Sequence, residues 1–577
     1  MSAELTVQEP SAKYLMNLQP ALLRHFDLIA QAPGGVARLR ELILTLAVQG
    51  KLVPQDPSDE PVSELLKKIR AEKDRLIADR KIKRDKPLAE ITDEEKPFEL
   101  PAGWSWVRIA DVAFSQAGFA FKSNAFNETR QGLPLIRIRD VGNNDPVTFY
   151  SGDYRDEFIV EPGDWLISMD GEFRVCEWLG PRALLNQRVS RLMFYGADLF
   201  RPFVTAALQF KLSELQGVKA YTTVDHLSGG QIASSVIALP PLAEQSRIVT
   251  RVEELMQLCD ALEGQGKLEA EQHARLVSTL FGSLLQSDTP EDLADNWQRI
   301  ATHFDLLLDR PEAVDALEQT ILQLAVRGLL VPQDPTDEPA SVLLQKIRTE
   351  KDHLIAQGKI KRDKPLPPIT DEEKPFELPQ GWEWVRMGAV VNSSEAGWSP
   401  TCIGSPRTSG KWGVLKVSAV SWGKFDATAN KELPAYLSPR PEYEVMDGDF
   451  LLSRANTADL VARSVVVKKA EPRLMLSDKI IRLDVSPLMS REFLNMCNNA
   501  EHARNHYATN ASGTSSSMKN VSREVVLATP VPLPSAREQS RIVTRVNELR
   551  ASCAQLKQYL TAQQAVQTHL ADALVSA

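Results

Sequence analysis

Apolar and polar positions alternate along this chain with two periods, and the helical period dominates its ends and middle. In 36–50, Val36, Leu39, Ile43, Leu46 and Ala47 recur on one helix face, and Gly50 stands where a helix-ending residue belongs. Residues 14–31 read as another short helix before it. The plan returns at 302–308 and 313–328, ending at Gly328. After the turn at 56–61, residues 62–81 predict a helix with Leu65, Ile69, Leu76 and Ile77 on one side. Lys67, Lys68, Arg70, Lys73, Arg75, Arg80 and Lys81 crowd its other side, and a matching helix spans 340–357. These basic faces suit DNA backbone, a partner protein, or plain solvent. The period of a strand appears at 135–139 and 165–169, and again at 414–418 and 448–454, so the intervening stretches read as mixed α/β. Each half closes on a long heptad pattern. Ile542, Val546, Leu549, Cys553, Leu556 and Leu560 form one seam, and Ile248, Val252, Leu255, Cys259 and Leu262 form its counterpart. A seam needs a facing helix, and the other copy is the simplest partner. Paired antiparallel, two helices of about 40 residues, roughly 60 Å long, predict a rod that holds two domains apart.

The chain is internally repeated. Residues 25–109 recur almost unchanged at 303–387 without a gap, and within 52–109 about three quarters of the positions match. The run 244–252 returns at 538–546. Between these frames lie two stretches, about 110–235 and 388–530, that barely resemble each other. A duplicated frame with two different inserts points to two readers held at a set distance. A doubled enzyme would repeat its active site.

At 577 residues the chain is too long for one core. Its 43% hydrophobic and 25% charged content are those of a soluble globular protein, no apolar run suits a membrane span, and residues 1–8 lack a signal pattern. Five cysteines lie far apart at 176, 259, 402, 497 and 553, so neither a disulfide framework nor a zinc ribbon is expected, and a reducing cytoplasm is the expected compartment. Cys259 and Cys553 read as small seam residues. The net charge of −9 does not mark a nucleic-acid binder, so any DNA binding must rest on local patches or on helper subunits.

The order of several motifs, occurring twice, resembles the specificity subunits of type I restriction–modification systems. The motif Leu-Pro-x-Gly-Trp-x-Trp stands at 100–106 and 378–384. Gly-Phe-Ala-Phe-Lys-Ser follows at 118–123 and Pro-Leu-Ile-Arg-Ile-Arg-Asp-Val at 134–141. The segments 239–245 and 533–539 close the inserts. The second half lacks the Gly-Phe-Ala-Phe-Lys-Ser run, so no role of that run transfers there. The resemblance implies an α+β protein, with two α/β target-recognition domains joined by an antiparallel pair of long conserved helices and with repeated N-terminal and central helical arms. The expected divisions are an N-terminal arm at 1–99, a first recognition domain at 100–241, a first long helix at 242–290, a central arm at 291–377, a second recognition domain at 378–534 and a second long helix at 535–577. It also implies a non-catalytic subunit that binds a bipartite, asymmetric double-stranded DNA target. Such a subunit assembles with two methylation subunits and two restriction/motor subunits, with S-adenosylmethionine, ATP and Mg²⁺ used on those partners.

No catalytic constellation stands out in the sequence. There is no Asn-Pro-Pro-aromatic base-gripping loop and no nucleotide loop, and Gly264-Gln265-Gly266 lies in a helical stretch. The eight histidines do not pair at metal-ligand spacing, and His25 and His303 read as core or capping residues. Reading bases needs paired donors and acceptors. In the first insert the candidates are Lys122, Arg137, Arg139, Arg174, Gln187 and Arg188. Arg137 and Arg139 share one face of the expected strand. Arg174 is either a reader or the ion-pair partner of Asp170 and Glu172, and Glu172 could accept from cytosine. Thr222, Thr223 and the segment 228–231 could approach phosphate or form a plain turn. In the second insert the candidates are Lys411, Lys416, Arg454, Asn456, Lys479 and Lys519, and the small polar segment 512–517 suits a loop that orders on DNA. Residues 382–532 carry 18 basic and 15 acidic side chains and residues 104–238 carry 13 and 15, so phosphate contacts alone predict modest affinity. The tryptophans of 104–106 and 382–384, identically placed in the frame, are expected to pack each insert onto its helix. The alternative function is a self-sufficient methyltransferase or nuclease with a duplicated recognition module; a scaffold that binds no DNA is the third.

Overall fold

A computed structural model describes residues 26–576, except 27, 83–87, 197–198, 218–225, 288, 363, 422 and 514–517. The expectations for 14–25, including His25, for Thr222 and Thr223, and for 514–517 lie outside the described residues. The chain divides into two compact units, residues 1–268 with 564–577, and residues 269–563. With 47% helix and 16% strand, the fold is mixed α+β. No helix among the described residues is long and apolar enough to cross a membrane.

In the first unit an arm helix Gly35–Val48 buries Leu39, Ile43 and Ala47. Gly50 follows with φ 69°, and a Cβ there would stand 2.6 Å from Pro101 and 2.9 Å from Trp104, so only glycine lets the arm close on the insert. The basic helix Val62–Ala78 comes next, burying Val62, Leu65 and Ile69. Strand Ser105–Arg108 enters the insert and pairs antiparallel with Val236–Leu239, which leaves it, so the two ends of the head are clipped together. Inside, a four-stranded sheet runs in the order Ala113–Ala117, Val189–Phe194, Trp165–Ser168, Val175–Glu177. Beside it, strand Leu133–Ile136 runs parallel to Ala183–Leu185.

The second unit repeats this plan. Arm helices Pro311–Val326 and Ala340–Ala356 lead to strand Glu383–Arg386, clipped antiparallel to Pro530–Leu533. The four-stranded sheet has the same order, Val391–Ala396, Ile480–Val485, Phe450–Ser453, Ser464–Val466, and Gly413–Leu415 runs parallel to Leu474–Met475. The dissimilar inserts therefore share one fold.

Two expectations change. The strand predicted at 135–139 ends at Ile136, and a 3-10 turn Ile138–Asp140 follows. Asp140 stops it, because its carboxylate accepts from the Arg137 amide at 2.8 Å, and Leu135 and Ile136 are both fully buried, a central strand and not a half-exposed one. Arg137 and Arg139 therefore do not share a strand face. The counterpart at 414–418 likewise stops at Leu415 and turns into a short helix, Ser418–Ser421.

The second change concerns the heptad seams. The long helices are Leu242–Leu285 and Ala536–Ser576. In the first unit Ile248, Leu255 and Cys259 share a core with Leu39, Ile43 and Ala47 of the arm helix, and Arg40 on that helix donates to Asp260 and Glu263. Ala571 and Leu574 of the last helix join the same core. In the second unit Ile542, Val546, Cys553 and Leu560 share a core with Val314, Leu317 and Ile321, together with Val277, Phe281 and Leu284, and Lys557 bonds Asp315. The repeated arm, an amphipathic helix lying within the same unit, covers much of each seam that the other long helix alone was expected to cover.

Candidate nucleic-acid interface

Each head is mounted on its long helix by the same polar joint. Trp104 donates its indole N–H to Glu244 at 3.0 Å, and Trp382 to Glu538 at 2.9 Å. Both carboxylates are almost fully enclosed, and burial pushes both carboxyls above their ordinary range. Gln245 accepts from the amide of Phe200 and donates to Pro240 O, while Gln539 accepts from Ser490 and donates to Pro534 O. Arg247 pairs with Asp59, and Arg541 with Asp337, each at 2.6 Å. The repeated Glu-Gln-Ser-Arg run thus carries the bonds that join each long helix to its head and, through Asp59 or Asp337, to its arm. Trp106 and Trp384 lie against Phe98 and Phe376, as packing residues would.

Each head carries a second shared frame, made of backbone. Ser168 N–H donates to Arg174 O at 3.0 Å, and Ser453 N–H to Arg463 O at 2.9 Å. Met169 N–H donates to Arg188 O at 3.0 Å, and Arg454 N–H to Lys479 O at 2.7 Å. Leu227 N–H donates to Met169 O at 2.7 Å, and Val521 N–H to Arg454 O at 3.0 Å. The buried hydroxyls of Ser168 and Ser453 tie the intervening loop through Glu172 O and Leu460 O. Gly118 and Gly397 border this frame at one equivalent place. A Cβ on either would come within 2.1 Å of a backbone carbonyl, that of Asn186 or of Leu476. Gly397 thus occupies the Gly118 position although the rest of the Gly-Phe-Ala-Phe-Lys-Ser run is missing from the second head. Within that run Phe121 packs against Tyr150 with ring centroids 4.8 Å apart, and Phe119 against Phe158 at 5.2 Å.

On these matching frames the side chains differ. Arg188 and Lys479 hold one position, Met169 and Arg454 another, Arg174 and Arg463 a third. The parallel strand pairs set Arg137 and Lys416 in equivalent places, each one residue beyond a strand end, Ile136 or Leu415. Gln187 lies next to Phe119, whose carbonyl takes its amide at 3.0 Å. Lys122 is exposed before the turn Ser123–Ala125. Asn456 pairs in register with Lys519. So Arg137, Gln187 and Arg188 gather on one edge of the first head, and Lys416, Arg454, Asn456, Lys479 and Lys519 on the matching edge of the second.

Other candidates are engaged within the protein. Arg174 gives both Nε and Nη2 to Glu172 Oε2. Lys411 lies off the edge, where its ammonium meets Glu432 at 2.6 Å and, with Thr408, pulls that carboxyl down to about 2. Asn456 donates to Ser421 and accepts from the Thr457 amide, so its amide is occupied. Arg139 donates to Thr148 at 3.2 Å. Sequence reasoning did not single out Asp170 and His226 as members of the edge. Asp170 Oδ2 lies 2.8 Å from Arg188 Nη1, and its Oδ1 lies 2.6 Å from His226 Nδ1. Arg463 was missed too; its counterpart Arg174 was the available signal.

Two heads of one build, identically mounted and differently edged, make a recognition protein. The family model for the type I restriction modification DNA specificity domain matches residues 101–272. The chain is 39% identical over 560 residues to the type I restriction enzyme EcoEI specificity subunit of Escherichia coli, covering 94% of each. It is 36% identical over 576 residues to the EcoAI specificity subunit of Escherichia coli, again covering 94% of each. A solved chain from a study of type I R-M complex assembly is 16% identical with a TM-score of 0.42, covering 83% of this chain and 98% of that one. The chain belongs to the specificity subunits of type I restriction–modification systems, the non-catalytic DNA-recognition component of such complexes.

Proposed function

We propose that the first head, within 100–241, reads one half of a bipartite, asymmetric DNA target and that the second, within 378–534, reads the other. The observation that carries this reading is the repeated backbone frame with unlike side chains at its edge. The reading residues of the first head are drawn from Lys122, Arg137, Arg139, Arg174, Gln187 and Arg188. Those of the second are drawn from Lys411, Lys416, Arg454, Asn456, Lys479 and Lys519. The residues of each set already engaged with Glu172 or Glu432 must exchange that partner for DNA. The long helices, run antiparallel, set the spacer between the half-sites. The duplicated mounts present approximately two-fold surfaces to two methylation subunits, with two restriction/motor subunits joining for cleavage. S-adenosylmethionine, ATP and Mg²⁺ act on those partners in the cytoplasm. The test exchanges residues 110–235 for the corresponding insert of another specificity subunit and maps methylated sites by sequencing genomic DNA. One half of the target changes and the other stays. A change in both halves, or in neither, refutes the assignment.

A further inference from the structure

We propose that Arg188 reads a guanine in the half-site of the first head, and that Asp170, anchored by His226, is the residue that positions it. The inference rests on the reading above, that this head contacts its own half-site.

Guanine offers O6 and N7 side by side in the major groove, and two parallel N–H groups of one guanidinium match them. Arg188 has such a pair to spare. Its Nη1 is held by Asp170, 3.2 Å from Oδ1 and 2.8 Å from Oδ2. Its Nε and Nη2, which form the other two-pronged edge, have no hydrogen-bond partner among the described residues, and the side chain is 54% exposed. Asp170 is a fixed post. Its side chain is only 12% exposed, His226 Nδ1 bonds it at 2.6 Å, and Asp170 and His226 also form a backbone bridge. The amide of Met169 holds the Arg188 carbonyl. With its main chain held by Met169 and one corner of its guanidinium by Asp170, Arg188 has less freedom to lose when it docks.

Arg174 makes the contrast. Its Nε and Nη2 both go to Glu172, so the edge that would meet a base is closed. In the second head the Arg188 position is Lys479, whose ammonium is a point charge without a planar fork. A planar two-pronged match to guanine at this position therefore belongs to the first head.

The experiment selects bound sites from DNA randomised across both half-sites, with the chain assembled with its methylation subunits. Arg188→Ala abolishes a guanine preference at one position of the first half-site, a loss of between about 5- and 150-fold, and leaves the second half-site as it was. Arg188→Lys keeps the charge and the donors but loses the fork, and shows a smaller loss than Arg188→Ala with an unchanged salt dependence of binding. Asp170→Ala weakens the same preference several-fold, and Asp170→Asn, which keeps an acceptor, restores part of it. A uniform fall in affinity for all sequences, with the salt slope of log K reduced by about 0.9, would make Arg188 a phosphate contact and overturn the proposal. So would intact base preferences in Arg188→Ala. A fall in thermal stability of Asp170→Ala without any change in base preference would overturn the positioning role. Exchange of residues 110–235 separates the two levels. If the exchange leaves the first half-site unaltered, the assignment of head to half-site falls and this inference with it. If the exchange rewrites that half-site while Arg188→Ala does not touch it, only the inference about Arg188 falls.

Discussion

Arg386 is the sharpest test of how a head is locked to its frame. It is 8% exposed and donates to five acceptors: Glu373 Oε1 at 2.6 Å and Oε2 at 2.7 Å, Ala528 O at 2.6 Å, Pro367 O at 3.0 Å and Pro368 O at 2.9 Å. These tie the acidic linker, the entering strand and the segment before the leaving strand to one side chain. Arg386→Met keeps the apolar stem and removes every donor. Taking one partner from a buried ion pair costs about 3–5 kcal/mol. Glu373 is 31% exposed, so water recovers part of its solvation, and the lower end, about 3 kcal/mol, is expected. The pH dependence gives a second handle. The hydrogen bonds from Arg386 pull the Glu373 carboxyl from its ordinary 4.5 down to about 2. A carboxyl depressed in the folded state stabilises fully above its unfolded value and loses that contribution as pH falls toward the folded one. Urea unfolding followed by tryptophan fluorescence at pH 7, 4 and 3 should therefore show the gap between parent and variant at its full size at pH 7 and closing at pH 3. A gap below about 1 kcal/mol at pH 7, or one that does not change with pH, refutes the reasoning. Arg108→Met is the internal comparison. Its partner Glu95 is also drawn to about 2, but is 37% exposed, so the same direction with a smaller gap is expected.

His502 is buried between Phe376 and Trp384, and burial lowers it from 6.5 to about 4. Its contribution is complete above 6.5 and is lost as pH falls through 4, so His502→Leu should resist acid unfolding better than the parent, by at most about 3 kcal/mol below pH 4, read in urea titrations at stepped pH. Gly118→Ala forces a Cβ to 2.1 Å from Asn186 O and should destabilise the first unit by about 2 kcal/mol or more in the same assay; a neutral effect would mean that the backbone there is free to yield. Four residues inserted into both long helices, about one turn or 6 Å, should lengthen the spacer found between methylated half-sites, and an unchanged spacer counts against the helices as its measure.

Features set by local pattern were legible in the sequence. The long helices, the arm helices and Gly50 at a helix end follow from spacing that a single stretch of chain contains. The repeat also showed that Trp104 and Trp382 serve packing, because two dissimilar heads would not keep a base-stacking residue in a shared frame. Failures came where a side chain outside the apolar pattern decides. Nothing within 135–139 announces that Asp140 will fold back onto the Arg137 amide and end the strand. The seam looked for its twin because heptads imply a like partner, whereas an arm helix some 200 residues earlier lies against it in the first unit. Within the candidate site, composition identified Arg174 and Arg188 equally. Only geometry separates them, since Glu172 stands two residues from Arg174, while the Asp170 and His226 beside Arg188 are 18 and 38 residues away in the chain.

The physical economy of this chain lies in which bonds are repeated and which are not. The mounts use buried charge-assisted bonds, such as Trp104 to Glu244 and Trp382 to Glu538, whose partners are costly to change singly. The inner sheets do the same with Arg191 on Asp164 and Gln116, and Arg482 on Asp449 and Glu395. At the edge, by contrast, the frame is backbone to backbone. Amide–carbonyl bonds are indifferent to the side chains between them, so Arg188 and Lys479, or Met169 and Arg454, occupy one geometry without disturbing it. Exposed positions such as Arg188 and Lys479 tolerate substitution within about 0.5 kcal/mol. A new preference for a base therefore requires no new solution to folding or mounting. It requires an edge side chain and, as at Asp170, one neighbour to hold it.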